Sequence, residues 1–132
     1  MTIEIPASHH DLFTEPIVAT FVTLTPDGKP HATIVWCRLN GSQVQIAILN
    51  GTQKYKNLQA NKDVSVLVID TNHPYRYIEV RGTAELSISG KDATPIIQDI
   101  ARKYGRPDFD WQTNEHKRSI VTITPKKVVI HG

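Results

Sequence analysis

Hydrophobic and polar positions in this chain follow the period of strands far more often than that of helices. Ile17-Val18-Ala19-Thr20-Phe21-Val22-Thr23-Leu24 is rich in β-branched and aromatic residues and runs into Thr25-Pro26-Asp27-Gly28, a turn sequence. His31 to Leu39 has the same character and is closed by Asn40-Gly41, a strong hairpin signal. Gln43 to Leu49 begins in alternation and ends apolar, so these segments predict a meander of three strands. Val64 to Ile69 is nearly continuously apolar, the pattern of a strand covered on both faces. In Tyr75 to Ile88, Tyr77, Glu79 and Arg81 fall on one side and Ile78 and Val80 on the other. Gly82 interrupts that run and predicts a bulge or a tight bend. Ser119 to Thr124 and Lys127 to Ile130 are the last strands, with a break expected at Pro125.

Two segments depart from this period. In Thr52 to Asn61, Tyr55, Leu58 and Ala60 lie near one helical face, with Thr52 placed as an N-cap. From Lys91 onward Ile96, Ile97, Ile100, Ala101 and Tyr104 recur at helical spacing until Gly105 and Pro107 stop the helix. Asp70 to Pro74 and Asp108 to Glu115, the latter around Trp111, are expected as loops. Six or seven antiparallel strands with two short helices, and no β-α-β rhythm, predict a mainly β fold: an antiparallel barrel with helical additions. There is no repeat or linker, so residues 1–132 are expected to form a single domain, long enough to bury its core without disulfides or metal.

Composition narrows the chemistry. Hydrophobic residues at 39% and charged residues at 21% exclude disorder and coiled coil. A net charge of +2 gives no sign of a nucleic-acid partner. Short apolar runs and an N-terminus without a signal pattern lead to the expectation of a soluble, cytoplasmic protein with no membrane contact. Cys37 is the lone cysteine, which removes disulfides and thiolate zinc sites; lying in a strand, it is expected as a small buried hydrophobe. No two of the six histidines have zinc-motif spacing, so no metal site is expected, a spatial meeting of His31 and His131 being left open. Neither a Gly-x-Ser-x-Gly elbow nor a glycine fingerprint for nucleotides is present, and no catalytic residue can be assigned. Asp108 and Asp110 are expected to be solvated.

Three clusters remain. Thr52-Gln53-Lys54-Tyr55-Lys56-Asn57 combines a cap hydroxyl, free N–H groups at a helix start and nearby cations, which suits a phosphate; the plainer alternative is a solvated cationic face. Tyr77, Glu79 and Arg81 form a polar row that suits a homodimer groove, or else an exposed sheet face with cross-strand ion pairs. Trp36 is either core or one wall of a site for a flat heterocycle.

These clusters occur in a familiar order. Leu24-Thr25-Pro26-Asp27-Gly28-Lys29-Pro30 through Thr33-Ile34-Val35-Trp36 resembles the opening hairpin of the pyridoxamine 5′-phosphate oxidase-like split β-barrels. Lys54-Tyr55-Lys56-Asn57-Leu58 and Asp63-Val64-Ser65-Val66 resemble their lysine-bearing helix and the strand after it. Pro74 to Ala84 is similar to a signature strand of the F420-dependent, or flavin/deazaflavin, branch, and Arg106-Pro107, Trp111, Arg118-Ser119-Ile120-Val121 and Pro125 continue the likeness. The resemblance implies a homodimer with a flavin-type cofactor between protomers. It puts Thr33, Ile34, Val35 and Trp36 beside the ring system and Ala47 and Ile48 along the neighbouring strand. Thr52, Gln53 and Lys54 would hold the phosphate, with Lys56 nearby and Tyr77 reaching in from the signature strand.

Two departures bear on the cofactor. Ala32 and Gln53 stand where FMN-dependent pyridoxamine phosphate oxidases commonly carry arginines, which removes a bidentate phosphate grip that lysine does not reproduce. With the sequence ending at Gly132, the extension that binds product in those enzymes is also expected to be missing. The resemblance thus implies coenzyme F420, with FMN as the alternative, and hydride transfer to an electron-poor small molecule. The other readings are a cofactor-binding protein without turnover and an oligonucleotide-binding barrel using Trp36, Tyr75 and Tyr77 to stack bases.

Overall fold

The computed structural model describes residues 3–107 and 117–132. The chain opens with a 3₁₀ turn at Ala7–His9 and the short helix α1 (Asp11–Thr14). Strands β1 (Ala19–Leu24), β2 (Pro30–Val35), β3 (Cys37–Asn40) and β4 (Gln43–Leu49) follow. Then come α2 (Gln53–Ala60), β5 (Asp63–Ile69), β6 (Tyr77–Ser89), a 3₁₀ turn at Gly90–Ala93, α3 (Thr94–Lys103) and β7 (Arg118–His131). The expected loop at Asp108–Glu115, with Trp111, lies outside the described residues.

All seven strands form one antiparallel sheet in the order β2-β1-β5-β6-β7-β4-β3. Strands β2 and β3 are therefore its two edges, although Trp36 alone separates them in the chain. Consecutive Cα atoms are about 3.8 Å apart, so that linkage draws the edges together and curls the sheet into a barrel. No ladder joins β2 to β3 among the described residues, and the barrel is split along that seam.

The expected meander is thus two hairpins, β1–β2 and β3–β4, whose shared stretch His31–Leu39 turns a corner at Trp36. The corner escapes the hydrophobic pattern because Val35 and Cys37, two residues apart, are both buried on either side of it. The β3–β4 loop is Gly41-Ser42 rather than Asn40-Gly41: Asn40 pairs with Gln43, and Gly41, at φ 62°, takes the first central position of a type II′-like turn.

Within one protomer, strand β5 is covered on one face only. Val64, Val66 and Val68 face the core, while Ser65 and Leu67 are half-buried and Ile69 is exposed. On the other side α3 and the turn before it cover parts of β4, β6 and β7, where Ala93, Ile97 and Ile120 form a small second core with the half-buried Ala47, Ile88 and Ile96. The main core fills the barrel and takes in Leu12 and Phe13 of α1 and Leu58 of α2. The N-terminal helical turns were not foreseen from the sequence. Arg76 secures them by binding Asp11 at 2.7 Å, Asp70 at 3.0 Å and the Ser8 carbonyl at 2.6 Å.

β7 runs unbroken through Pro125. Proline is tolerated because it faces Gly82 where the β6–β7 register shifts, at a bulge where a ladder hydrogen bond is dispensable. A side chain at Gly82 would put its Cβ 2.2 Å from the Thr124 carbonyl oxygen, so the bend predicted there needs glycine. No helix among the described residues is long and apolar enough to cross a membrane.

Candidate functional site

The first turn of α2 stands where β4 ends. Asn50 and Gly51 make the corner: Gly51 adopts φ 82°, and Asn50 Oδ1 accepts a 2.6 Å hydrogen bond from the buried Ser119 hydroxyl of β7. Thr52 occupies the cap position, but its hydroxyl donates to the Leu49 carbonyl at 2.8 Å instead of receiving an N–H of the helix. The first-turn N–H groups of α2 thus carry no side-chain cap and remain as donors at the positive end of the helix. One turn further along α2, Asn57, fully buried, donates to Thr23 Oγ1 at 2.9 Å and locks α2 onto β1.

A cavity of about 300 Å³ opens beside this corner. Its walls are Ile34, Val35 and Trp36 at the end of β2, Ala47, Ile48 and Leu49 of β4, and Ile97 and Ile100 of α3. Thr52, Lys54 and Arg118 supply its polar edge. The cavity therefore spans the seam, with one sheet edge on one side and the strand next to the other edge opposite it. Its size lies at the small end of the range for ligand pockets.

The electrostatics of the lining have one sign. Lys54 and Arg118 are both half-buried, and no carboxylate lines the cavity among the described residues. Burial lowers the pKa of each cation from its ordinary value, because a low-dielectric wall disfavours charge. Lys54 Nζ donates to Thr33 Oγ1 at 3.3 Å. Two partly desolvated cations beside unsatisfied helix N–H groups favour an anion, while the aliphatic and indole walls favour a flat apolar body. The residues present fit a ring cofactor with an anionic tail.

Of the residues singled out in the sequence, Ile34, Val35, Trp36, Ala47, Ile48, Thr52 and Lys54 meet in this cavity, and Thr33 supports it through Lys54. Gln53 is exposed and donates to Asn57 Oδ1 at 2.7 Å; Lys56 is exposed and outside the lining. Tyr77 lies on the outer face of β6, stacked on His131 at 5.4 Å, in a separate cavity of about 470 Å³ shared with Thr20, Leu67 and Glu79. Its neighbour Glu79 accepts from Ser65 at 2.7 Å and pairs with Arg81 at 3.0 Å, which holds its carboxyl below the ordinary value. No cluster of metal-ligating side chains occurs among the described residues.

Sequence reasoning missed Leu49, Ile97, Ile100 and Arg118 as lining residues. The α3 isoleucines carry a clear helical period, but periodicity does not say which cavity a helix covers. Arg118 stands in register with Leu49, so β4–β7 pairing brings it to the α2 corner from far along the chain.

A split barrel with a cation-edged cavity at its seam defines the class of fold. The sequence matches pyridoxamine 5′-phosphate oxidase over residues 5–132, and the chain belongs to that family. A comparison with curated proteins gave no match. Among solved structures the chain is similar to an F420 reductase, with 28% identity, TM-score 0.85, and coverage of 95% of this chain and 98% of that one. It is similar in fold to a pyridoxamine 5′-phosphate oxidase-like protein from Listeria innocua, with 19% identity, TM-score 0.69 and 86% coverage of each chain. It also shares its fold with a haem storage protein from Vibrio cholerae, at 14% identity and TM-score 0.76, over 98% of this chain and 96% of that one.

Proposed function

We propose that the protein is an F420-dependent reductase that works as a homodimer, with FMN as the alternative cofactor. The observation that carries this reading is the seam cavity, with apolar walls for a ring and Lys54, Arg118 and the α2 N-terminus for anionic groups. The likeness to an F420 reductase at 28% identity supports the deazaflavin over the flavin. So does Gln53, whose amide is engaged with Asn57 and lacks the charge of an arginine.

When bound, such a cofactor supplies a hydride for an electron-poor small molecule; the chain supplies position and exclusion of water. Lys54, Thr52 and the first-turn N–H groups hold the phosphate, and Val35, Trp36, Ala47 and Ile48 confine the ring. Ile97 and Ile100 exclude water from the α3 side. The outer face of β1, β2, β5 and β6 is the second half of the proposal. Ile34 is 63% exposed there and also lines the cavity, so a second protomer seated on this face would close the site and present Tyr77 near it.

Titration of purified protein with F420 and, separately, FMN, followed by cofactor fluorescence, tests the reading. Micromolar binding of F420 with weak FMN binding supports it, and an enone panel then reads turnover. Tight FMN binding with no F420 binding transfers the protein to flavin chemistry. Binding of neither refutes the cofactor site. A cofactor-binding protein without turnover is favoured by one observation: the described lining contains no carboxyl, imidazole or phenol to supply a proton. F420 binding with no hydride transfer across the panel would select it.

A further inference from the structure

The C-terminal end of α3 grips the barrel at its weakest point. As an edge strand, β3 leaves one side of its ladder without a strand partner. At its first residue, Cys37, that side is taken by the side chains of Lys103, the last residue of α3, and of Tyr104, which follows it. Tyr104 Oη receives the Cys37 N–H at 3.2 Å, and Lys103 Nζ donates to the Cys37 carbonyl at 2.6 Å. The same two groups reach the segment leading into β1: Tyr104 Oη donates to the Ile17 carbonyl at 2.7 Å and Lys103 Nζ to the Phe13 carbonyl at 2.5 Å. Lys103 and Tyr104 thus span from the chain entering β1, which neighbours edge β2, to edge β3. They replace the ladder that the seam lacks.

Trp36, the corner residue and a wall of the cavity, lies within this grip. Its ring stacks on that of Tyr104 with centroids 5.0 Å apart and planes 5° apart, and the Lys103 ammonium sits 4.6 Å from the Tyr104 ring centroid. The ammonium is half-buried, and its hydrogen bonds go to backbone carbonyls; burial lowers its pKa. A cation held there by carbonyls is a costly way merely to cap a helix, but it fixes two chain segments at once.

We propose that Lys103 and Tyr104 are positioning residues for the seam cavity: they clamp the Trp36–Cys37 corner and hold the Trp36 ring as a rigid wall for the bound cofactor. The proposal rests on the reading of that cavity as a cofactor site. The chain has two tryptophans, so a Trp111→Phe parent leaves Trp36 as the sole indole reporter. Into it go Lys103→Met, Tyr104→Leu and Tyr104→Phe, the last of which keeps the ring and loses only the hydroxyl. Acrylamide quenching of Trp36 is measured without ligand, F420 and FMN affinities are measured by titration, and melting curves confirm folding.

The clamp predicts that Lys103→Met and Tyr104→Leu each raise Trp36 quenching and weaken cofactor binding, Tyr104→Leu by about two- to tenfold, the range for a lost aromatic stack. Tyr104→Phe should weaken binding less. Folded variants with parental quenching overturn the proposal, as does a freed Trp36 with unchanged affinity, which would make the clamp purely structural. Should Tyr104→Leu fail to fold, Lys103→Met and Tyr104→Phe decide. A parent that binds neither cofactor refutes the functional reading, while the quenching comparison still decides whether the corner is clamped.

Discussion

Replacement of Lys54 by methionine separates binding from stability, because affinity is expected to fall while stability does not. Methionine keeps an unbranched stem of similar length and removes the ammonium. Lys54 donates a 3.3 Å hydrogen bond to Thr33, and burial lowers its pKa below 10.5. At neutral pH the native state therefore carries a desolvation cost that the unfolded chain does not. Between the lowered value and 10.5 the unfolded chain binds more protons than the native one, so this residue makes stability rise with pH across that window. Lys54→Met removes the cost and that rise together. The ligand-free melting temperature is expected to stay level or to increase by a few degrees. Affinity for the anionic cofactor should fall about ten- to a hundredfold, the equivalent of one charge-assisted hydrogen bond of about 1.5–3 kcal/mol. Fluorescence titration and thermal melting on the same preparations read both quantities. Parental affinity in the variant would refute Lys54 as the phosphate ligand; a melting point lowered by many degrees would show that the lysine supports the fold instead.

Two further outcomes test the framework around the site. Gly82→Ala drives a methyl to 2.2 Å from the Thr124 carbonyl oxygen, and separating β6 from β7 there should cost about 1–3 kcal/mol in urea unfolding; an unchanged midpoint would refute the close approach. Leu67→Glu puts a charge on the outer face of β5, beside Thr20 and Glu79. Light scattering should find dimer in the parent and monomer in the variant, and a monomeric parent would contradict the homodimer.

Much of the site could be read locally. Thr52 to Lys54 announce themselves by a cap residue, a helix start and a cation within one turn. The alternation of Tyr77, Glu79 and Arg81 against Ile78 and Val80 survives in the burial of β6. Lys103 and Tyr104 were another matter. A lysine and a tyrosine at a helix end look like ordinary surface and core, and their partners are the backbones of Phe13, Ile17 and Cys37, which no side-chain pattern records.

What the sequence by itself determined is what depends on neighbours a few positions apart: which stretches extend, where they turn, and where a helix begins with donors exposed. Period, cap and turn chemistry act within one turn of helix or one hairpin, and the chain states them outright. Only the tertiary structure decided that His31–Leu39 bends at Trp36 and that its halves become opposite edges of one sheet. Alternation continues unchanged across that corner, because Val35 and Cys37 both point into the core. The same holds for Arg118, Ile97 and Ile100, which reach the cavity through strand pairing and helix packing across the barrel. Contacts between segments far apart in the chain arise from closure of the sheet, and closure is a property of all seven strands together.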